Sequence, residues 1–238
     1  MLLTLFRYTF VGISSFFFLS TNAQGLIESD TITYFPSHRV KDGAPTFYDV
    51  MYGRLYYPYL AYRSHRVGTA VVSVTITPEG RLRPINIVNS LGYNIDQVIH
   101  QAFMAAEDIW LPDPYAKQDI TFMVPINFTT HGIHYHQDPI PESLAPDITV
   151  VGYYSGHLRP DAQIAAKANK FYVEKRYRKA KKYLDELIRR NPFDKNLYLM
   201  RGNAYRQLGK NDQSCADFMR IKMLLKQPVP AEVLTLCE

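Results

Sequence analysis

Residues 68–80 read Gly-Thr-Ala-Val-Val-Ser-Val-Thr-Ile-Thr-Pro-Glu-Gly, and the fold follows from this stretch. Ala70, Val72, Val74 and Ile76 alternate with Val71, Ser73, Thr75 and Thr77, the period of a strand with one buried face. Thr77-Pro78-Glu79-Gly80 is a turn, because proline presets φ at its second position and glycine accepts a positive φ. Leu82 to Asn89 then returns as a second strand, which makes a hairpin.

Downstream, Ser90-Leu91-Gly92 breaks the hairpin and Asn94 or Asp96 starts a helix. Ile95, Val98, Ile99, Ala102, Phe103, Ala106, Ile109 and Trp110 follow helical spacing until Pro112 and Pro114 end it. A third strand carries Phe122, Val124, Ile126 and Phe128 on one face. Pro125 in its middle lacks a backbone donor, which predicts an edge strand. Upstream, Thr46 to Leu55 predicts a short helix of the same domain, preceded by an N-terminal arm over 24–44.

Residues 161–238 are organised differently, repeating at an offset of 34. Ala168-Asn169 returns as Gly202-Asn203, Phe171 as Tyr205, Leu184 as Phe218 and Leu187 as Ile221. The period predicts helices near 161–174, 177–190, 195–208 and 211–226, with a capping helix from Pro230. Residues 131–160, broken by Pro139, Pro141, Pro146 and Pro160, form the linker, within which Ile148 to Tyr154 is a candidate short strand. The chain is therefore expected to be α+β: an antiparallel three-stranded sheet with two helices over 45–130, then an all-α helical-hairpin unit.

With 238 residues, 47% hydrophobic and 21% charged, the composition is globular and excludes a disordered or collagenous chain. A mean hydropathy of −0.20 with a single N-terminal apolar run excludes a polytopic membrane protein. The net charge of +5 hides an asymmetry: residues 161–238 carry 17 Lys+Arg against 9 Asp+Glu, and residues 1–160 carry 10 against 13. Lys175, Arg176, Arg178, Lys179, Lys181 and Lys182 form either a solvated basic face or a contact for acidic partners.

Met1 to Ala23 reads as a secretory signal, with Arg7 in its n-region, an apolar core from Tyr8 to Leu19, and Thr21-Asn22-Ala23 before a cleavage site. An uncleaved anchor is the alternative. Cys215 and Cys237, 22 residues apart in an exported chain, are read as disulfide partners that clamp the final helix onto the one before. Export also disfavours nucleic acid as the partner of the basic half.

Tyr57-Pro58, the strand from Gly68, Glu79-Gly80, Ser90 with Gly92, Ile95-Asp96, Ala102 and Val124-Pro125-Ile126-Asn127-Phe128 together resemble the TonB C-terminal domain over about residues 45–130. The resemblance implies a periplasmic module that captures an extended peptide from an outer-membrane transporter by strand addition. The candidate edge is Asp119 to Thr129, with Thr121, Met123, Asn127 and Thr129 on its outward face. Other occupants of that edge remain open: the N-terminal arm, the linker, or a second copy of the chain in a homodimer.

The 34-residue period resembles tetratricopeptide repeats, which implies a protein-binding groove, with Asn169, Lys170, Arg201 and Arg206 as candidates on inner helix faces.

Against an enzyme stand the lack of a phosphate-binding glycine loop with lysine, a G-x-S-x-G elbow or a metalloprotease helix. Glu107-Asp108 and Asp185-Glu186 are sequence neighbours, which do not face one another on a helix. His131, His134 and His136 are spaced closely enough to ligate a metal but lack a fixed scaffold, so they are read as loop histidines. No cofactor or metal is expected. The expectation is a non-enzymatic periplasmic adaptor that joins an outer-membrane transporter, or its complex, to a second protein. A permanent structural subunit and a short-spacer energy transducer are the alternatives.

Overall fold

A computed structural model describes residues 34–130, 148–152, 159–234 and 237. Residues 1–23, expected from the sequence to be a signal, and His131, His134 and His136 lie outside the described residues. Among the described residues no helix is long and apolar enough to cross a membrane.

The sheet has four strands rather than three, in the order β2-β1-β3-β4. β1 (Gly68–Ile76) pairs antiparallel with β2 (Asn86–Asn89) on one side and with β3 (Ile120–Thr130) on the other. The addition is β4 (Ile148–Gly152), part of the expected linker, which runs parallel to β3 from Ile126↔Ile148 to Thr130↔Gly152. A parallel neighbour needs a long crossover connection, so the linker is the segment free to supply it. Pro125 now has a physical explanation: β4 begins beside Ile126, one residue past the missing donor. Thus β3 is an edge over Ile120–Pro125 and an interior strand over Ile126–Thr130.

The front face of the sheet holds the main core. Val72, Val74 and Ile76 of β1 and Phe122, Val124, Ile126 and Phe128 of β3 pack against Phe47 and Met51 of α1 (Ala44–Arg54). Ile95, Ile99, Ala102 and Phe103 of α3 (Ile95–Ala105) complete that layer, and α2 (Tyr59–Arg63) leads into β1. The first turn of α3 is tied down by Asp96, which accepts from the backbone N–H groups of Leu91 and Gly92 at 3.2 and 3.3 Å. The segment from Tyr34 to Gly43 also belongs to this layer. Phe35 packs on Phe47 and Phe122, and buried Arg39 donates to the carbonyls of Leu111 (2.8 Å) and Thr77 (3.0 Å), joining two turns.

The helical half follows the 34-residue period. α4 (Asp161–Val173) and α5 (Tyr177–Arg190) form one hairpin, and α6 (Lys195–Gln207) and α7 (Asn211–Met223) form the next. Their tight turns both use left-handed backbone at equivalent places, Lys175 (φ 56°) and Gly209 (φ 69°). Gly202 marks the α6–α7 crossing: a Cβ there would meet Cε1 of Phe218 at 2.5 Å. Cys237, just past the short α8 (Ala231–Leu234), lies at disulfide distance from Cys215 of α7, with Cα atoms 5.4 Å apart. Closing this loop is worth about 3 kcal/mol.

Contrary to the one-buried-face expectation, the back of the sheet is covered too. Val71, Val88 and Met123 join one buried cluster with Ile188, Phe193, Tyr198, Phe218, Ile221, Leu224 and Leu225 of the helical half. A bulge in β2, where Ile87 and Asn89 oppose the adjacent residues Val72 and Val71, turns Val88 onto that face. At Gly68, φ 147°, the backbones of the two halves come close together, since a Cβ there would run into the backbone carbonyl of Arg189. Gly68→Ala combines that overlap with a strained φ and is expected to cost roughly 2–4 kcal/mol. Thermal unfolding of the full chain checks this; an unchanged midpoint would mean the two backbones are not held together there.

Candidate functional site

The four residues expected on an exposed strand edge are largely covered. Met123 is fully buried under the helical half. Thr121 is buried as well, its hydroxyl 2.9 Å from that of Thr75 across the ladder. Asn127 and Thr129 are half-buried and lie opposite Thr149 and Val151 of β4. The period-2 pattern assigned Thr121 and Met123 to the correct face. That face is covered because β1 and β3 are sandwiched between two helical layers. Beyond the cover, the back face turns polar at Ser73, Thr75 and Thr121, which border an open cleft of about 600 Å³ with Arg83 and Asp119.

The helical candidates separate into two groups. Asn169, Lys170 and Arg206 are exposed. Arg201 is instead the hub of an ion network: Nε and Nη2 donate to Asp217 at 2.8 and 2.6 Å, and Nη1 donates to Asp185 at 2.9 Å. Lys181 reaches Asp185 at 2.5 Å and Arg220 reaches Asp217 at 3.1 Å. Burial alone would lower the Arg201 pKa, but the paired bonds to Asp217 outweigh it and hold the guanidinium above its ordinary value. Asp217 is fully buried, so removing Arg201 would leave its charge to Arg220 alone.

What the fold assembles is a cleft of about 540 Å³ between the two halves. One wall is β2 and its exit, from Asn86 through Ser90; the other is α5, α6 and α7, through Lys181, Tyr198, Arg201, Tyr205 and Arg220. Consecutive strand residues line it because β2 is a terminal strand and presents its edge; a sheet face would present alternate residues. Arg66, between α2 and β1, and Arg189, near the end of α5, stand in this cleft and also border a second one of about 290 Å³ with Arg159, Lys182 and Arg190. The sequence reading missed Arg66 and Arg189. They lie 123 positions apart, and only the stacking of helices on the sheet brings them together. The one sequence signal was an arginine pair ending an amphipathic helix, with both side chains on what proves to be its buried side.

Glu186 counters part of this charge, pairing with Arg189 and with Arg190 (2.9 Å). Burial raises its pKa, but the Arg189 hydrogen bond and the two guanidinium charges outweigh that and leave it below its ordinary 4.5. A lowered folded pKa means its contribution is complete above the unfolded value and is lost as pH falls below about 4.5. Glu186→Gln is therefore expected to lower the unfolding midpoint near neutrality, with the gap to the parent chain closing in acid. A gap that stays constant with pH would show that the carboxylate charge contributes nothing.

Among the described residues no group of three or more His, Cys, Asp or Glu side chains is arranged to hold a metal ion. No curated protein and no solved structure matches the chain. Residues 53–130, about a third of the chain, match the family described as Gram-negative bacterial TonB protein C-terminal.

Proposed function

We propose that the chain is a non-enzymatic adaptor of the bacterial envelope. Its TonB-like domain addresses an outer-membrane transporter or transport complex, and its tetratricopeptide-like hairpins hold a further protein. The observation that carries this reading is the packing of α5, α6 and α7 onto the back of the domain that matches the TonB C-terminal family. On this reading two unlike binding modules share one body. The periplasm is the compartment that suits it, with the N-terminal segment as export signal and the Cys215–Cys237 pair oxidised.

One observation favours the variant reading of a permanent structural subunit. β4 fills the C-terminal half of the β3 edge, where an incoming strand would add. Capture of a transporter peptide there requires β4 to leave, so β4 acts as a competitor built into the chain. Alternate residues of a parallel strand donate to its neighbour, so one of Thr149→Pro and Val150→Pro removes a donor from the ladder.

The test is affinity purification of the tagged full chain from gently solubilised envelopes, followed by titration of the purified chain with extended peptides from the recovered transporter. The adaptor reading expects a near-stoichiometric outer-membrane barrel, and peptide binding that tightens several-fold in one proline variant. A barrel partner with no peptide binding in any variant selects the structural-subunit reading. Recovery with inner-membrane proton-channel subunits instead contradicts both and indicates an energy transducer.

A further inference from the structure

Arg66 and Arg189 present an unusual arrangement: two guanidiniums share a half-buried junction with most of their donors unused. Arg66 Nε donates to the Leu91 carbonyl at 2.6 Å, and its guanidinium stacks 4.7 Å from the Tyr93 ring centre, but neither of its terminal nitrogens has an acceptor among the described residues. The Arg189 side chain is about nine-tenths buried and pairs with Glu186 through Nη2, while its Nε has no hydrogen-bond partner among the described residues. The Arg66 pKa lies below its ordinary value, first through burial and next through the nearby positive charge of Arg189. A guanidinium offers five donors in a planar fork shaped to carboxylate. The buried, unmet Nε of Arg189 is costly to leave so, and Arg66 adds an open fork at the same cleft; together they are arranged for an anion that arrives from outside.

The walls of the cleft indicate which anion. The slot lies between the sheet and the helices, a place a flat bilayer does not enter. It is bounded on one side by the peptide edge of β2 and on the other by Tyr198 and Tyr205. At about 540 Å³ it accommodates several residues of an extended chain, well beyond a single small anion. The β2 bulge disrupts the regular ladder that full strand addition would need, so side-chain charge has to provide most of the attraction.

We propose that Arg66 and Arg189 form a carboxylate-binding site at the sheet–helix junction, which receives an acidic side chain from an extended segment of a partner protein. The proposal deepens the adaptor reading, on which it rests, by naming where the second partner is held and by what chemistry. It is independent of transporter docking through β3, which lies on the far side of β1 from β2.

The test is calorimetric titration of the full chain with a capped hexaglutamate peptide at moderate ionic strength, with capped hexaglutamine and inorganic phosphate as separate probes. Hexaglutamate is expected to bind and hexaglutamine is not. Arg66→Gln and Arg189→Gln are each expected to weaken binding about ten-fold or more, and Arg66→Lys less, since it keeps the charge but loses the fork. Arg54→Gln removes the same charge from an exposed position on α1, outside both clefts, and is expected to change affinity less than about two-fold. Equal weakening by Arg54→Gln and Arg66→Gln would reduce the effect to diffuse attraction by a basic protein and overturn the site. So would absence of hexaglutamate binding, or phosphate binding as tightly as the peptide. Thermal unfolding of each variant separates lost binding from lost fold, and Arg66→Gln still tests the site if Arg189→Gln does not fold. Failure here with the barrel still co-purifying removes the site alone; loss of the barrel partner removes the adaptor reading itself.

Discussion

Burial of Val71, Val88 and Met123 beneath the helical half is the constraint on which the rest of the structure depends. Each such side chain, taken fully out of water, contributes about 1.5–3 kcal/mol. Two helical hairpins seldom bury enough surface to stand alone. Here the sheet closes one side of the stack, while the Cys215–Cys237 pair and the final turn close the other. The same contact makes β1 an interior strand on both faces. It also forces the Gly68 backbone against the Arg189 carbonyl, where only a residue without Cβ fits. The clefts, and the meeting of Arg66 with Arg189, are consequences of this stacking.

A second constraint follows from Pro125. A proline cannot donate to a neighbour, and β4 flanks β3 on its outer side only from the residue after it, Ile126, to Thr130. On the proposed reading the chain thereby guards its own edge: an exposed strand is open to any passing segment, and a short intramolecular strand restricts it to partners able to displace five residue pairs. The cationic cleft beside β2 lies at the opposite end of the strand order, so an adaptor of this design can hold two partners without steric conflict.

The fold was legible where periodicity carries information. Alternation in 68–76 gave β1, the spacing from Ile95 to Phe103 gave α3, and the offset of 34 placed α4 to α7 within a few residues of their ends. What was illegible depended on long-range packing. Ser73, Thr75 and Thr121 border the open polar part of the back face, so their identity pointed to solvent and did not announce the second layer over the rest of it. Val71 and Met123 were the only apolar hints. Ile148 to Tyr154 was recognisable as strand-like, and the linker was one of several candidates for the β3 edge; composition could not choose among them or give the parallel direction. Arg201 was legible as a polar residue on an inner helix face, yet its engagement with Asp185 and Asp217 depends on residues 16 positions away in each direction. The Arg66–Arg189 junction joins two halves that share no sequence pattern, which is why it emerges only in three dimensions.

The central claim is that sheet and helices form one cooperative body through the shared back-face core. Differential scanning calorimetry of the oxidised full chain tests it most directly. The account requires a single transition whose calorimetric and van't Hoff enthalpies agree. Two separable transitions, one for each half, would contradict it: the back-face contact would then be too weak to hold the cleft between the halves in place.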